Sequence, residues 1–273
     1  MARLTPTLDA HCHIWTLARG DYGWLEGEGG PLDALRRDFA PGDYPGTARM
    51  IVVQAAPSVA ETEFLLAVAA GWDRIAGVVG WVDLASTSAA DDLHRLARDP
   101  MLRGIRPMLQ DIAQTDWLLR APRPEALAAL ADLGLTFDAL VTTRHLPALA
   151  AFAQANPALP IVIDHAAKPQ PGARLEWQAG MARLAAIPRL RCKLSGLMTE
   201  LSDPAEIEAV FAQLLHWFGP DRLIWGSDWP VLTLAAGLDD WQALTDRLLA
   251  PLTDSARAAI LGHNAATFYG VRP

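Results

Sequence analysis

Cysteine is scarce in this chain, with two residues in 273, and Cys12 and Cys192 stand far apart. Each sits in an apolar, strand-like stretch where a small buried side chain fits, so the pattern is that of a reducing cytoplasm and not of a disulfide framework. Runs of Lys or Arg are missing as well. With a formal net charge of -8, no basic footprint exists for nucleic acid or an anionic membrane. No window approaches the roughly 20 apolar residues of a membrane span, and the opening MARLTPTLDAHCHIW has no apolar stretch of signal-peptide length. No Pro/Ser-rich linker, charge block or low-complexity tract divides the chain. These absences leave a soluble, cytoplasmic protein whose expected partner is a small molecule, with no nucleic acid, no membrane and an open oligomeric state.

What is present is globular: a hydrophobic fraction of 51% and a charged fraction of 20%. A length near the roughly 250 residues usual for a barrel points to one domain over residues 1–273. Short β-branched runs alternate with longer Ala/Leu-rich stretches at intervals of roughly 25 to 40 residues, which predicts strand, connection and helix in repetition. Eight strands are predicted: Leu8–His13, Arg49–Ala55, Ile75–Val82, Leu102–Met108, Leu135–Val141, Pro160–His165, Leu190–Leu194 and Leu223–Ser227. Helices are predicted over Ala60–Ala70, Ala89–Arg98, Pro124–Leu133, Leu146–Ala155, Leu175–Ala186 and Pro204–Phe218. Strand followed by helix, eight times, predicts an α/β chain folded as a single (β/α)8 TIM barrel, with an open doubly wound sheet as the competitor. The Gly- and Asp-rich stretch from Trp15 to Thr47 is then a loop over the C-terminal mouth, where barrel enzymes do chemistry.

The chemistry-bearing residues fall at predicted strand ends. Side chains alternate along a strand, so Asp9, His11 and His13 are expected on one face of LDAHCH, with Ala10 and Cys12 on the other. Two imidazoles at the end of a first barrel strand suit one divalent ion or one polarised carbonyl. VIDHAAKP places His165 at the end of strand 6, and LIWGSDWP places Asp228 at the end of strand 8. Singly, each histidine reads equally well as a hydrogen-bonded core residue, and Asp228 as a helix cap. Four such residues at the ends of three strands are hard to explain by packing. Arg106, Gln54 and Lys193, near the ends of strands 4, 2 and 7, and Trp24 in the first loop are candidate substrate contacts; Lys168 is a weaker one.

The segments DAHCHIW, RGDYGWL, RGIRPMLQD, IVIDHAAKP, CKLSGL and RLIWGSDWP resemble the amidohydrolase superfamily, in its lactonase branch, from about Leu8 to Gly270. The resemblance implies hydrolysis of a lactone ring, with Asp228 as general base and His11, His13 and His165 as its companions. Superfamily members with two metals use a lysine or glutamate on strand 4 and a histidine on strand 5. Here strand 4 offers Arg106 and strand 5 ends in VTTRH, so a bridged pair of ions is not expected. One zinc on His11, His13, His165 and Asp228 stays open beside a site that needs no cofactor; without it, the histidines or Arg106 stabilise the oxyanion. The expected substrate is a sugar-acid lactone of the L-fucono-, L-rhamnono- or galactono- type. The alternatives are a carboxylated lactone such as pyrone dicarboxylate or sulfomuconolactone, and a zinc-dependent decarboxylation on the same scaffold.

Overall fold

The computed structural model describes residues 5–272. Residues 1–4 and 273 of the expected domain span lie outside the described residues. Eight strands form: β1 (Leu8–Cys12), β2 (Arg49–Val53), β3 (Ile75–Gly80), β4 (Leu102–Ile105), β5 (Thr136–Ala139), β6 (Ile161–Ile163), β7 (Arg191–Leu194) and β8 (Leu223–Trp225). They pair in parallel in the order β1 to β8. Closure comes from the segment after β8, where Asp228 N donates to His11 O at 2.7 Å and His13 N to Trp229 O at 2.7 Å. This is a (β/α)8 barrel. Among the described residues no helix is long and apolar enough to cross a membrane.

The main outer helices are α1 (Val59–Ala69), α2 (Ala89–Leu96), α3 (Pro124–Asp132), α4 (Leu146–Ala155), α5 (Arg174–Ala185), α6 (Pro204–Phe218) and α7 (Leu238–Leu249). Their starts follow local chemistry: Ser58 accepts from Glu61 N ahead of α1, and Asp203 accepts from Ala205 N ahead of Pro204 in α6. The eightfold strand–helix alternation fails once. Between β1 and β2 the described chain holds only short 3-10 turns, such as Gly23–Leu25 and Pro41–Asp43, because this Gly- and Asp-rich segment has no helical period of apolar residues. The last helical segment, capped by Thr253 through Ala256 N, is broken. It runs Asp254–Ala258, then a distorted turn at Ala259–His263, then α8 (Asn264–Tyr269).

Inside the barrel, Leu8, Ala10, Ile51, Val53, Val79, Val162 and Ile224 meet across the axis, and Tyr269 from α8 joins them. That cluster corrects the expected facing of β1. Its pairing with β2 slips between Asp9 and Cys12, a bulge that breaks strict alternation. Ala10 therefore faces the axis with its neighbour His11. Asp9 turns away, accepting from Ser227 N at 2.9 Å, His11 N at 3.1 Å and Tyr44 Oη at 2.8 Å.

Candidate active site

Above the apolar layer lies a band of fully buried charge. Lys193 of β7 and Asp138 of β5 are fully buried, as is Asp164, which follows β6. Lys193 Nζ lies 2.6 Å from Asp138 Oδ2, 3.0 Å from Asp164 Oδ1 and 3.1 Å from His11 Nδ1. Tyr269 Oη donates to Asp138 Oδ2 at 2.6 Å. Burial opposes ionisation of Asp164, yet Lys193 and His11 outweigh it and hold the carboxyl well below its ordinary value. Burial pulls the Lys193 ammonium down, but the two carboxylates more than compensate and hold it above its ordinary value. Burial also drives the His11 imidazole well below its ordinary value, with Lys193 adding to the effect.

The cleft above this band has a volume of 220 Å³. His13, His165, Arg106, Asp228 and Trp24 line it, with Ala55 and Lys168 at its edges. The three imidazoles converge on one carboxylate oxygen. Asp228 Oδ1 lies 3.3 Å from His13 Nε2, 3.8 Å from His11 Nε2 and 3.9 Å from His165 Nε2. Burial alone would raise the Asp228 carboxyl; His165, His13 and His11 hold it below the usual carboxylate range. Burial pushes the His165 imidazole down to about 4.

Backbone geometry sets these positions. His165, Ala166, Ala167 and Lys168 all have positive φ between 50° and 59°, and Asp228 has φ 62°. Such left-handed non-glycine residues cost about 1–3 kcal/mol each and persist only where their surroundings hold them. Lys168 N donates to His165 O at 2.8 Å, and Trp177 Nε1 donates to Ala166 O at 2.7 Å. Gly196 (φ 64°) lies so close that a Cβ there would fall 2.7 Å from His165 Nδ1. Gly226 makes room for His11 in the same way, since its Cβ would fall 2.8 Å from the His11 Cβ.

Three of the residues expected at the site lie beneath the cleft and do not line it. His11, Gln54 and Lys193 are fully buried. Gln54 Nε2 donates to Arg106 O at 2.7 Å, and Arg106 Nη2 donates back to Gln54 O, so Gln54 braces the arginine. Trp24 does reach the cleft, its indole N–H fixed on Ala55 O at 2.8 Å. Lys168 pairs with Glu200 at 3.3 Å. Sequence reasoning overlooked Asp138, Asp164, Ser195 and Glu61. A charged residue inside the apolar run TFDAL, and two ionisable residues together in VIDH, were the available signals for the first two.

The donor set suits one divalent ion. His13 Nδ1 lies 2.8 Å from Val53 O; a carbonyl only accepts, so this nitrogen carries the proton and Nε2 offers its lone pair towards Asp228. Two acceptors 3.3 Å apart call for a proton or a cation between them. His165 Nδ1 likewise sits on Ser195 Oγ at 2.9 Å, leaving Nε2 at the cleft. Ligand atoms of His11, His13 and Asp228 lie within 4.8 Å of one another. The second such group among the described residues, His11, Asp164 and His165, shares His11 with the first, so it adds no independent second ion. Arg106 Nη1, 3.4 Å from His11 Nε2, stands on the β4 side of the site.

Known proteins place this geometry. The chain is 46% identical to an L-fucono-1,5-lactonase of Burkholderia ambifaria, over 98% of this chain and 97% of that protein. It is 36% identical to an L-fucono-1,5-lactonase of Burkholderia multivorans, over 97% and 96%. A crystal structure of a Burkholderia multivorans amidohydrolase with bound zinc superposes with a TM-score of 0.88 at 35% identity, covering 98% of this chain and all of that one. The amidohydrolase family profile matches residues 8–271, from β1 through α8. The barrel and its strand-end histidines and aspartate thus accompany a match over nearly the whole chain, and the protein belongs to the amidohydrolase family.

Proposed function

We propose that this protein hydrolyses the ring ester of a sugar-acid lactone of the L-fucono-1,5-lactone type. The observation that carries the reading is the convergence of three imidazole Nε2 atoms on Asp228 Oδ1, beside Arg106, on the floor of a small cleft. Two lactonases that match almost end to end support the same class of substrate.

Asp228, held ionised by its neighbours, takes a proton from a water molecule in the cleft. The resulting hydroxide adds to the ring carbonyl carbon, and the oxyanion is met by the Arg106 guanidinium. Collapse breaks the acyl–oxygen bond of the ring, and Asp228 returns the proton to the departing alkoxide. The product is the open hydroxy acid. His11, fixed from below by Lys193 and Asp164, orients this group, and Gln54 holds Arg106 in place. A divalent ion bound by His11, His13, His165 and Asp228 would supply Lewis-acid polarisation of the carbonyl.

Charge separates a sugar lactone from a carboxylated one. Arg144 spends its guanidinium on the carbonyls of Gln110, Ile112 and Ala113 and on Thr115 Oγ1. Lys168 is paired with Glu200. Arg106 alone is left in the cleft for an anion, fewer than a dicarboxylate demands.

A pH-indicator assay over a panel of sugar 1,5-lactones tests the reading, using wild type and Asp228→Asn. The variant keeps shape and removes the base, so kcat is expected to fall by about 10²–10⁴. Near-normal turnover by the variant would overturn the assignment. Inactivity of the wild type on every lactone, with decarboxylation of an aromatic acid abolished by chelation, would favour the zinc-dependent decarboxylase instead.

A further inference from the structure

The reaction cleft does not end at Trp24. A second hollow of 650 Å³ opens beside it across the loops that follow β1 to β4, and the two share Trp24, Met108 and Asp111 in their walls. The 220 Å³ cleft lies below the roughly 300 Å³ at which ordinary ligand pockets begin, so it suits one small ring. The adjoining hollow has room for another.

Its chemistry is specific. Trp81 and Trp117 join Trp24 in the lining, with Asp21 and Asp83 at the margin beside Asp111. No Lys or Arg lines it among the described residues. The surfaces are held before any ligand arrives. The Trp24 indole is anchored on Ala55 O at 2.8 Å, and the backbone of Trp81 is fixed by Thr62, whose Oγ1 accepts from Trp81 N at 2.7 Å and donates to Trp81 O at 2.9 Å. Aromatic faces offer a stacking platform for the C–H face of a sugar. Carboxylates accept from its hydroxyls. Asp83 and Asp111 repel an anion, Asp21 being already paired with Arg19 at 2.7 Å.

We infer that this hollow is a subsite for a neutral pyranosyl ring joined to the lactone, so that glycosylated sugar lactones are better substrates than the bare ring. The inference rests on the lactonase reading, since it names what that substrate carries. The larger room lies next to the reacting centre, with Trp24, Met108 and Asp111 common to both walls.

The test compares L-fucono-1,5-lactone with derivatives carrying one β-glucopyranosyl group on each free hydroxyl in turn. Wild type, Trp81→Ala, Trp117→Ala and Trp81→Phe are assayed, with circular dichroism to confirm folding. At least one derivative is expected to exceed the parent in kcat/KM by about tenfold, the worth of one aromatic contact. That gain should vanish in both alanine variants and survive in Trp81→Phe, while turnover of the parent stays unchanged. The subsite is overturned if no derivative exceeds the parent, or if the gain survives both alanine substitutions. A wild type inactive on the parent and on every derivative strikes the lactonase reading itself, and the two failures are told apart by the parent alone.

Discussion

Replacing Lys193 with methionine removes one positive charge from the barrel interior while keeping much of its volume. The ammonium sits 2.6 Å from Asp138, 3.0 Å from Asp164 and 3.1 Å from His11, and all four residues are fully buried. Breaking a buried ion pair from one side costs about 3–5 kcal/mol, because the remaining charge is left without compensation. In a domain of this size each kcal/mol lowers Tm by roughly 2–4 °C, so a loss of about 10 °C is expected. Asp164 shows the cause through its pH dependence. Its folded-state carboxyl is held below the unfolded value, so its stabilisation is complete above the ordinary carboxylate range and is lost as pH falls through the folded value. Without Lys193 the carboxyl is held down less, so this acid-range loss of stability should shrink. Thermal melts followed by circular dichroism across the acid range read both effects. Adding Asp138→Asn to the lysine variant removes one orphaned charge and should recover at least 1 kcal/mol of the roughly 3–5 lost. A single variant within 1 kcal/mol of wild type, or a double variant no more stable than the single, would refute the reading of this network as an ion-paired support for His11.

Glu61 of α1 is buried and accepts from Ala55 N at 3.0 Å and Ala56 N at 2.6 Å, and burial raises its carboxyl to about 7. A raised carboxyl binds its proton more tightly in the folded state. Stability should therefore fall as pH rises from about 4.5 to 7, and Glu61→Gln should flatten this part of the profile by about 3 kcal/mol, read as the difference between the two proteins in urea melts. Parallel profiles for the two would remove Glu61 from the explanation. At Gly196, alanine brings both a left-handed residue and a Cβ 2.7 Å from His165 Nδ1. A loss of about 1–3 kcal/mol is expected, with kcat falling more than tenfold as the imidazole is displaced. Unchanged Tm and kcat would show that the loop relaxes freely.

Much of this protein was legible from residues in order. Every predicted strand has its counterpart, because runs such as MIVV and IAGVV combine β-branching with burial on both faces. Most predicted strands overrun at their C-terminal ends, by two residues at Pro160–His165 and at Leu223–Ser227. There the chain leaves the ladder to turn over the mouth, and a strand period carries no information about that departure. His11, His13, His165 and Asp228 could be named from their place at those ends. Trp24 and Arg106 could be named as candidates, and both line the cleft.

Local pattern also misled. Alternation put Asp9 with the histidines, and a bulge in the pairing with β2 turned it away and brought Ala10 inward. Lys193 and Gln54 looked like substrate contacts because each lies near a strand end. Whether such a residue faces the cleft or the layer beneath depends on how far each strand rises relative to its neighbours. That stagger is a property of the closed sheet. For the same reason Asp138 and Asp164 gave little sign of themselves. A carboxylate in an apolar strand is costly alone, and only closure brings β5, β6 and β7 together so that Lys193 lies against both, with Arg106 also 3.9 Å from Asp164. The sequence by itself determined the eight strands, the barrel and the residue types at its mouth, because these follow from periodicity and composition. Tertiary structure alone decided which of those residues line the cleft and which lie beneath it, because that choice is made by contacts across the barrel between positions as distant as His11 and Lys193, 182 residues apart.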